Sequence, residues 1–275
     1  MVTFMPIEIR HHQGAVLYAS PNARDLRAAV SEACRKGVDL SGALLEGADL
    51  RDADLEEARL DGARLAGATL RHANLEQASL RDADLRDARL DGANVEEAML
   101  EGAILVRANL RGANLEEALF SRADLTEAHL EGSNLEEADL HGAKMARASF
   151  TNSNLERARL VDAIAEGASF ASCNLERAEM RNMDLTRATL TAANLEKADL
   201  RGARLVSAAL AGANLERADL RDADLTDADF LETNCERALF EGSKTEGARF
   251  EDANLEGARG LGSPSARGSS SGPYR

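Results

Sequence analysis

A chain of 275 residues, 44% of them hydrophobic, could fill one or two ordinary domains, but with 3% aromatics and no Trp it lacks the large side chains that usually fill a globular core. Its 48 acidic against 33 basic residues give a net charge of -15, which disfavours nucleic acid and anionic membranes as ligands and favours a basic partner. Met1 to Arg10 lacks a basic segment followed by an apolar run, and no stretch approaches the roughly 18 apolar residues that span a bilayer, so a cytoplasmic protein without membrane contact is expected.

Residues 1–39 form a first unit. Ile7 and Ile9 alternate before His11-His12-Gln13-Gly14, and Val16 and Tyr18 follow, which reads as a β-hairpin. Ser20-Pro21 offers an N-cap and a first helical residue, Leu26, Ala29, Val30 and Ala33 make an apolar stripe, and Gly37 ends the helix. The pair is expected to cap the unit that follows.

From Leu40 to Leu255 the positions divisible by five are candidate core residues, usually Leu, and Ala stands two residues before nearly every one. An α-helix would set residues five apart at about 140° to one another, so it cannot bury them together. A flat strand, with its period of two, would send Leu50 and Leu55 to opposite faces. The chain must turn once per pentapeptide, and repeated turning in one sense gives a coil with Leu and Ala inward.

A second period fixes the coil. Asn recurs every twenty residues from Asn74 through Asn94, Asn114 and Asn134 to Asn254, and Glu recurs two residues later, from Glu56 to Glu256. Four pentapeptides therefore make one four-sided coil. Residues twenty apart should stack at about 4.8 Å, with the Asn amides hydrogen-bonding up the stack. The repeats predict a solenoid over 40–260 of about eleven coils, roughly 50 Å long. Departures keep the same period: Ser133, Ser153, Cys173 and Thr233 share one inward column, and Phe150, Phe170, Phe230 and Phe250 another. Ala165 and Thr245 leave Leu-sized positions underfilled. Gly260 breaks the pattern, and 261–275, rich in Ser, Gly and Pro, is expected to be a disordered tail.

Chemistry-bearing motifs are sparse. Cys34, Cys173 and Cys235 are odd in number and far apart, which suits small core fillers rather than disulfides or a metal site. The five histidines, His11, His12, His72, His129 and His141, show no metal spacing, and no phosphate loop or nucleophile elbow occurs. No cofactor, metal or catalytic residue is assigned, and a non-enzymatic, protein-binding role is expected.

The signature A-(D/N)-L-x-x, seen in Ala48-Asp49-Leu50, Ala53-Asp54-Leu55, Ala113-Asn114-Leu115 and Ala193-Asn194-Leu195, resembles the pentapeptide-repeat family over about four fifths of the chain. The resemblance implies an all-β fold, a right-handed quadrilateral β-helix. It also implies a role: the best understood members protect DNA gyrase and topoisomerase IV as acidic rods that mimic duplex DNA, often as dimers joined at their C-terminal ends. This chain lacks the loops that interrupt the repeats of some of those members, and an evident C-terminal dimer helix.

Charge density tests the mimicry. Residues 41–150 carry 23 acidic and 12 basic side chains, and 151–260 carry 21 and 14, giving -11 and -7. Over the rod this is roughly one charge per 3 Å, against one per about 1.7 Å in duplex DNA, so mimicry needs charge concentrated on one face. One face has it. The ladder of Glu56, Glu76, Glu96, Glu116 and Glu136 is doubled at four of its rungs by Glu57, Glu97, Glu117 and Glu137, whereas Arg157, Arg177, Lys197, Arg217 and Arg237 occupy that neighbouring column in the second half. The first-half acidic face is the candidate surface for a protein partner, a type II topoisomerase on the family precedent. A solvated, anti-aggregation face on a scaffolding rod that binds unrelated proteins is the alternative. Phe230, Phe240 and Phe250, near an end with no visible cap, are the candidates for self-association as a homodimer.

Overall fold

The computed structural model describes residues 6–261. Strands β1 (Ile7–Arg10) and β2 (Val16–Ser20) pair antiparallel, with Ile9 opposite Tyr18 and an irregularity between Ile9 and Arg10. Helix α1 (Leu26–Arg35) follows, with Ala29, Val30 and Ala33 buried as the stripe predicts.

The helix start differs from the sequence expectation. Its N-cap is Asp25, whose Oδ1 accepts from the Ala28 amide at 2.8 Å, and not Ser20. Ser20 is fully buried, and its hydroxyl accepts from the Ala23 amide at 3.1 Å while donating to Glu32, so it fixes the turn that delivers the helix. Both residues have N-cap chemistry, and the five-residue offset is set by tertiary contact with Glu32. Gly37 ends the helix as expected: it has φ 66°, its amide bonds Cys34 O at 2.8 Å, and the Val38 amide bonds Ala33 O at 3.0 Å, a Schellman arrangement.

From Leu44 to Arg259 the chain makes parallel bridges between residues twenty apart, as in Asn94↔Asn114 and Asp139↔Arg159. Each side of a coil contributes a single bridged residue. Four hydrogen bonds recur per pentapeptide, shown by the repeat at Leu115: the Asn114 amide bonds Ala93 O at 3.0 Å, the Leu115 amide bonds Asn134 O at 2.7 Å, the Glu117 amide bonds Glu136 O at 2.9 Å, and the Ala118 amide turns back to Leu115 O at 3.1 Å. The last closes a β-turn whose third residue has positive φ, as type II requires. That residue is the second after each Leu, and it is left-handed whether or not it is Gly.

Leu and Ala point inward, and from Leu40 to Phe240 they are buried. Phe150 and Phe170 stack with centroids 4.9 Å apart, and the exceptional Ser133, Ser153, Cys173 and Thr233 are buried in the small-residue column. Ser133 and Ser153 both donate to Leu130 O at 2.6 Å, and Thr233 to Phe230 O at 2.8 Å, so no buried hydroxyl is orphaned there. Ala165 is fully buried, with the bulky Met183 buried in the Ala position one coil on. Burial raises the Cys173 thiol to about 12 and those of Cys34 and Cys235 to about 11, which keeps all three protonated and inert.

The N-terminal unit supplies backbone partners that a preceding coil would otherwise provide. Within the rod the Arg64 amide bonds Ala43 O, whereas the equivalent Leu44 amide, one coil earlier, bonds Arg10 O of β1 at 2.8 Å. The Asp54 amide bonds Ser31 Oγ of α1 at 3.2 Å. The His12 amide reaches Gly42 O at 2.9 Å, and a Cβ at residue 42 would lie 2.2 Å from His11 Nε2, so glycine lets the His11 ring pack closely over this turn.

Candidate partner-binding face

The predicted Asn column is a continuous amide spine. Asn94 Nδ2 donates to Asn74 Oδ1 at 3.2 Å, Asn114 to Asn94 at 3.1 Å, and the chain of bonds continues coil by coil to Asn254, which donates to Asn234 at 2.9 Å. Each amide carries a second hydrogen. In the first half it goes to the neighbouring Glu column: Asn94 donates to Glu76 at 3.1 Å, Asn114 to Glu96 at 2.8 Å, Asn134 to Glu116 at 3.0 Å and Asn154 to Glu136 at 3.3 Å. These carboxylates are half-buried and oriented, whereas Glu56, at the start of the column, is exposed.

The adjoining column differs in kind. Glu57, Glu97, Glu117 and Glu137 are exposed, and all four sit at the left-handed turn position, with φ between 54° and 58°. An L-residue there costs roughly 1–2 kcal/mol relative to its favoured conformations, a penalty glycine does not carry. Glycine holds the corresponding turn of the preceding side at Gly92, Gly112 and Gly132, yet in this column it appears only at Gly257. Among the described residues Glu57, Glu97 and Glu117 have no ion-pair partner, while Glu137 meets Arg157 at 3.1 Å. The unneutralised run therefore stops one coil earlier than the sequence suggests.

In the second half the half-buried Glu column turns to its basic neighbours. Lys197 Nζ lies 2.5 Å from Glu196, and Arg177, Arg217 and Arg237 lie 3.6 to 3.7 Å from Glu176, Glu216 and Glu236. The face thus carries two negative charges in the coils of Glu56–Glu57, Glu96–Glu97 and Glu116–Glu117, one beside Gln77, and balanced pairs at the other end.

Sequence comparison places these coils in a family. The family model described as pentapeptide repeats matches residues 36–71, 68–105, 103–142, 133–171, 168–205, 203–234 and 233–259. The chain belongs to the pentapeptide-repeat family. Pentapeptide-repeat proteins form right-handed quadrilateral β-helices, in keeping with the twenty-residue ladder of bridges. Among solved structures, HetL of the cyanobacterium Nostoc sp. strain PCC 7120, a pentapeptide-repeat protein involved in heterocyst differentiation regulation, is 34% identical over 69% of this chain and 88% of its own, with a TM-score of 0.45. The plasmid-mediated fluoroquinolone resistance protein QnrB1, in a trypsin-treated form, is 17% identical over 71% of this chain and 88% of its own, with a TM-score of 0.55, a likeness of fold alone. A search of curated proteins gives no match.

At the far end of this pentapeptide-repeat rod, Phe230 stacks on Phe250 with centroids 4.7 Å apart, and Phe240 meets both edge-on. Phe230 and Phe240 are fully buried, so of the three only Phe250 is part-exposed. The amides of Thr245, Phe250 and Leu255, which in earlier coils would bond the next turn, have no backbone partner among the described residues. Gly260 closes against Glu241, where a Cβ would lie 2.2 Å from the backbone nitrogen, and the predicted tail lies beyond residue 261, outside the described residues. Among the described residues no helix is long and apolar enough to cross a membrane, and no three His, Cys, Asp or Glu side chains are grouped to hold a metal ion.

Proposed function

We propose that this chain is a non-enzymatic, cytoplasmic binding rod whose first-half acidic face, Glu56–Glu57 to Glu136–Glu137, docks in the basic DNA-binding groove of a type II topoisomerase, DNA gyrase or topoisomerase IV, in place of duplex DNA. The observation that carries this reading is the exposed Glu column. Glu97 and Glu117 are kept at a left-handed turn where glycine would be less strained, without ion-pair partners and one coil from their like-charged neighbours. Two charges about 4.8 Å apart in water repel by about 0.9 kcal/mol before screening, so strain and repulsion act together against these residues, which favours a role outside folding. The fold shared with QnrB1, a fluoroquinolone resistance protein, is consistent with it.

The test is gyrase supercoiling, with and without a quinolone, in the presence of tens of micromolar purified protein. Inhibition or relief of poisoning is expected, weakening steeply with salt and abolished by Glu97→Lys with Glu117→Lys, while Arg177→Glu with Arg217→Glu leaves it intact. If the wild type neither binds gyrase nor alters supercoiling at low salt, the scaffold reading replaces this one. The balanced second half gives that alternative its support, since a duplex mimic has no use for it.

A further inference from the structure

We infer that the same column forms a lateral, antiparallel contact with a second copy of this chain. Apart from Gln77, whose mirror position is Arg217, the residues at the exposed turn column are antisymmetric in charge about a point midway between Glu137 and Arg157. Moving outward from that point, Glu117 stands as far to one side as Arg177 does to the other, Glu97 as far as Lys197, and Glu57 as far as Arg237. The rise per coil is constant, so the spacings match in space as well as in number. Two copies related by a twofold axis at this midpoint, perpendicular to both rods, place each Glu opposite a basic residue of the other copy, and every such pair occurs twice. A parallel arrangement sets Glu on Glu at four of the five first-half rungs, Glu57, Glu97, Glu117 and Glu137. The charge order selects direction and register together.

Three further features of the face permit close approach. The column beside the Asn spine is small and neutral over seven coils, from Gly92, Gly112 and Gly132 through Asn152, Ser172 and Ala192 to Gly212. The remaining carboxylates, in the half-buried Glu column, face their own kind across the twofold axis, but each is engaged within its own chain by an Asn amide or a basic neighbour, as with Asn114 to Glu96 and Lys197 to Glu196. The basic groups stay available, with Arg177 47% and Arg237 58% exposed despite their own-chain pairs. At the centre, Glu137 and Arg157, already 3.1 Å apart, would meet their copies as an alternating square of charge.

From residue 57 to residue 237 the column is about 43 Å long, and a side of the coil is about 15 Å wide. The face is thus about 650 Å², below the roughly 800 Å² per partner of stable complexes, so the contact is weak and governed by charge. It covers the acidic face proposed above, and self-association and partner binding exclude one another.

Sedimentation velocity and small-angle scattering on the full chain test this. At about 50 mM salt and about 100 µM protein, a dimer is expected whose maximum dimension is close to that of the monomer, with a dissociation constant at least about tenfold weaker at 300 mM salt. An all-basic variant, Glu97→Lys/Glu117→Lys/Glu137→Lys, and an all-acidic variant, Arg157→Glu/Arg177→Glu/Lys197→Glu/Arg217→Glu, should each be monomeric, and mixing the two should restore the dimer. A wild-type monomer under these conditions, a dimer of doubled length, or two folded variants that do not associate on mixing would overturn the inference. The all-acidic variant separates it from the topoisomerase reading, because it loses self-association while keeping the acidic face that would bind gyrase.

Discussion

The cost of changing one residue depends on its column. Leu135 is fully buried with coils on both sides, so Leu135→Ala should lose about 2–5 kcal/mol in a denaturant titration. Glu136, its neighbour, accepts from Asn154 at 3.3 Å, and relief of repulsion is offset by loss of that bond, so Glu136→Ala should lie within about 1 kcal/mol of wild type. A solvated Glu with no partner would instead be neutral or stabilising to remove, which is what the sequence alone suggests. Glu117 differs again, being left-handed, exposed and unpaired, and Glu117→Gly should stabilise by about 1 kcal/mol in the same titration. The inward columns were legible because Leu and Ala repeat without a slip. The left-handed position was signalled as well, by Gly42, Gly47, Gly62 and Gly67 at the second residue after each Leu, but Asp, Glu and Arg at equivalent positions hid it. Sharing of amide hydrogens between Asn and Glu was not legible, since it depends on rotamers that a spacing does not encode.

Among the elements, the hairpin and helix are joined to one another through Glu32. Hydrogen bonds from Lys36, Ser20 and Tyr18 hold its carboxyl down at about 2, against an ordinary value of 4.5. Because the folded value lies below the unfolded one, this stabilisation is complete above about pH 4.5 and lost as pH falls towards 2. The N-terminal unit should therefore loosen as pH falls towards 2, and Glu32→Gln should remove most of that acid dependence, as read from amide exchange of residues 26–35. Asp25 and Ser20 show where sequence reasoning stopped: two residues with the same capping chemistry compete, and the contact between Ser20 and Glu32 decides between them. At the opposite end, the Phe cluster was found by its period, but burial of Phe230 and Phe240 leaves Phe250, together with amides that have no backbone partner among the described residues, as the surface on which end-to-end self-association would depend. Phe250→Asp should abolish any elongated dimer seen in scattering, and deletion of 262–275 should leave such a dimer intact.

Over the whole molecule, a single twenty-residue operation generates nearly everything, so surface charge can change along the axis without altering the fold. Acidic and balanced halves coexist on one face because an outward residue is held by its own coil and the two adjoining ones. Sequence patterning therefore revealed the repeating coil and most of its charge map, whereas the identity of a partner is written in neither, since any basic groove of suitable length meets the same face.

The bridge between residues twenty apart also makes length a quantised property. Insertion or loss of one whole turn leaves every inward column in register and shifts the boundary between Glu137 and Arg157 by one rung, about 4.8 Å, whereas a change of five residues rotates every later side by a quarter turn and sets Asn against Asp, Leu or Arg. Duplication of turns can therefore tune such a protein as a ruler, graduated in steps of one rung, while its cross-section and its ends stay the same.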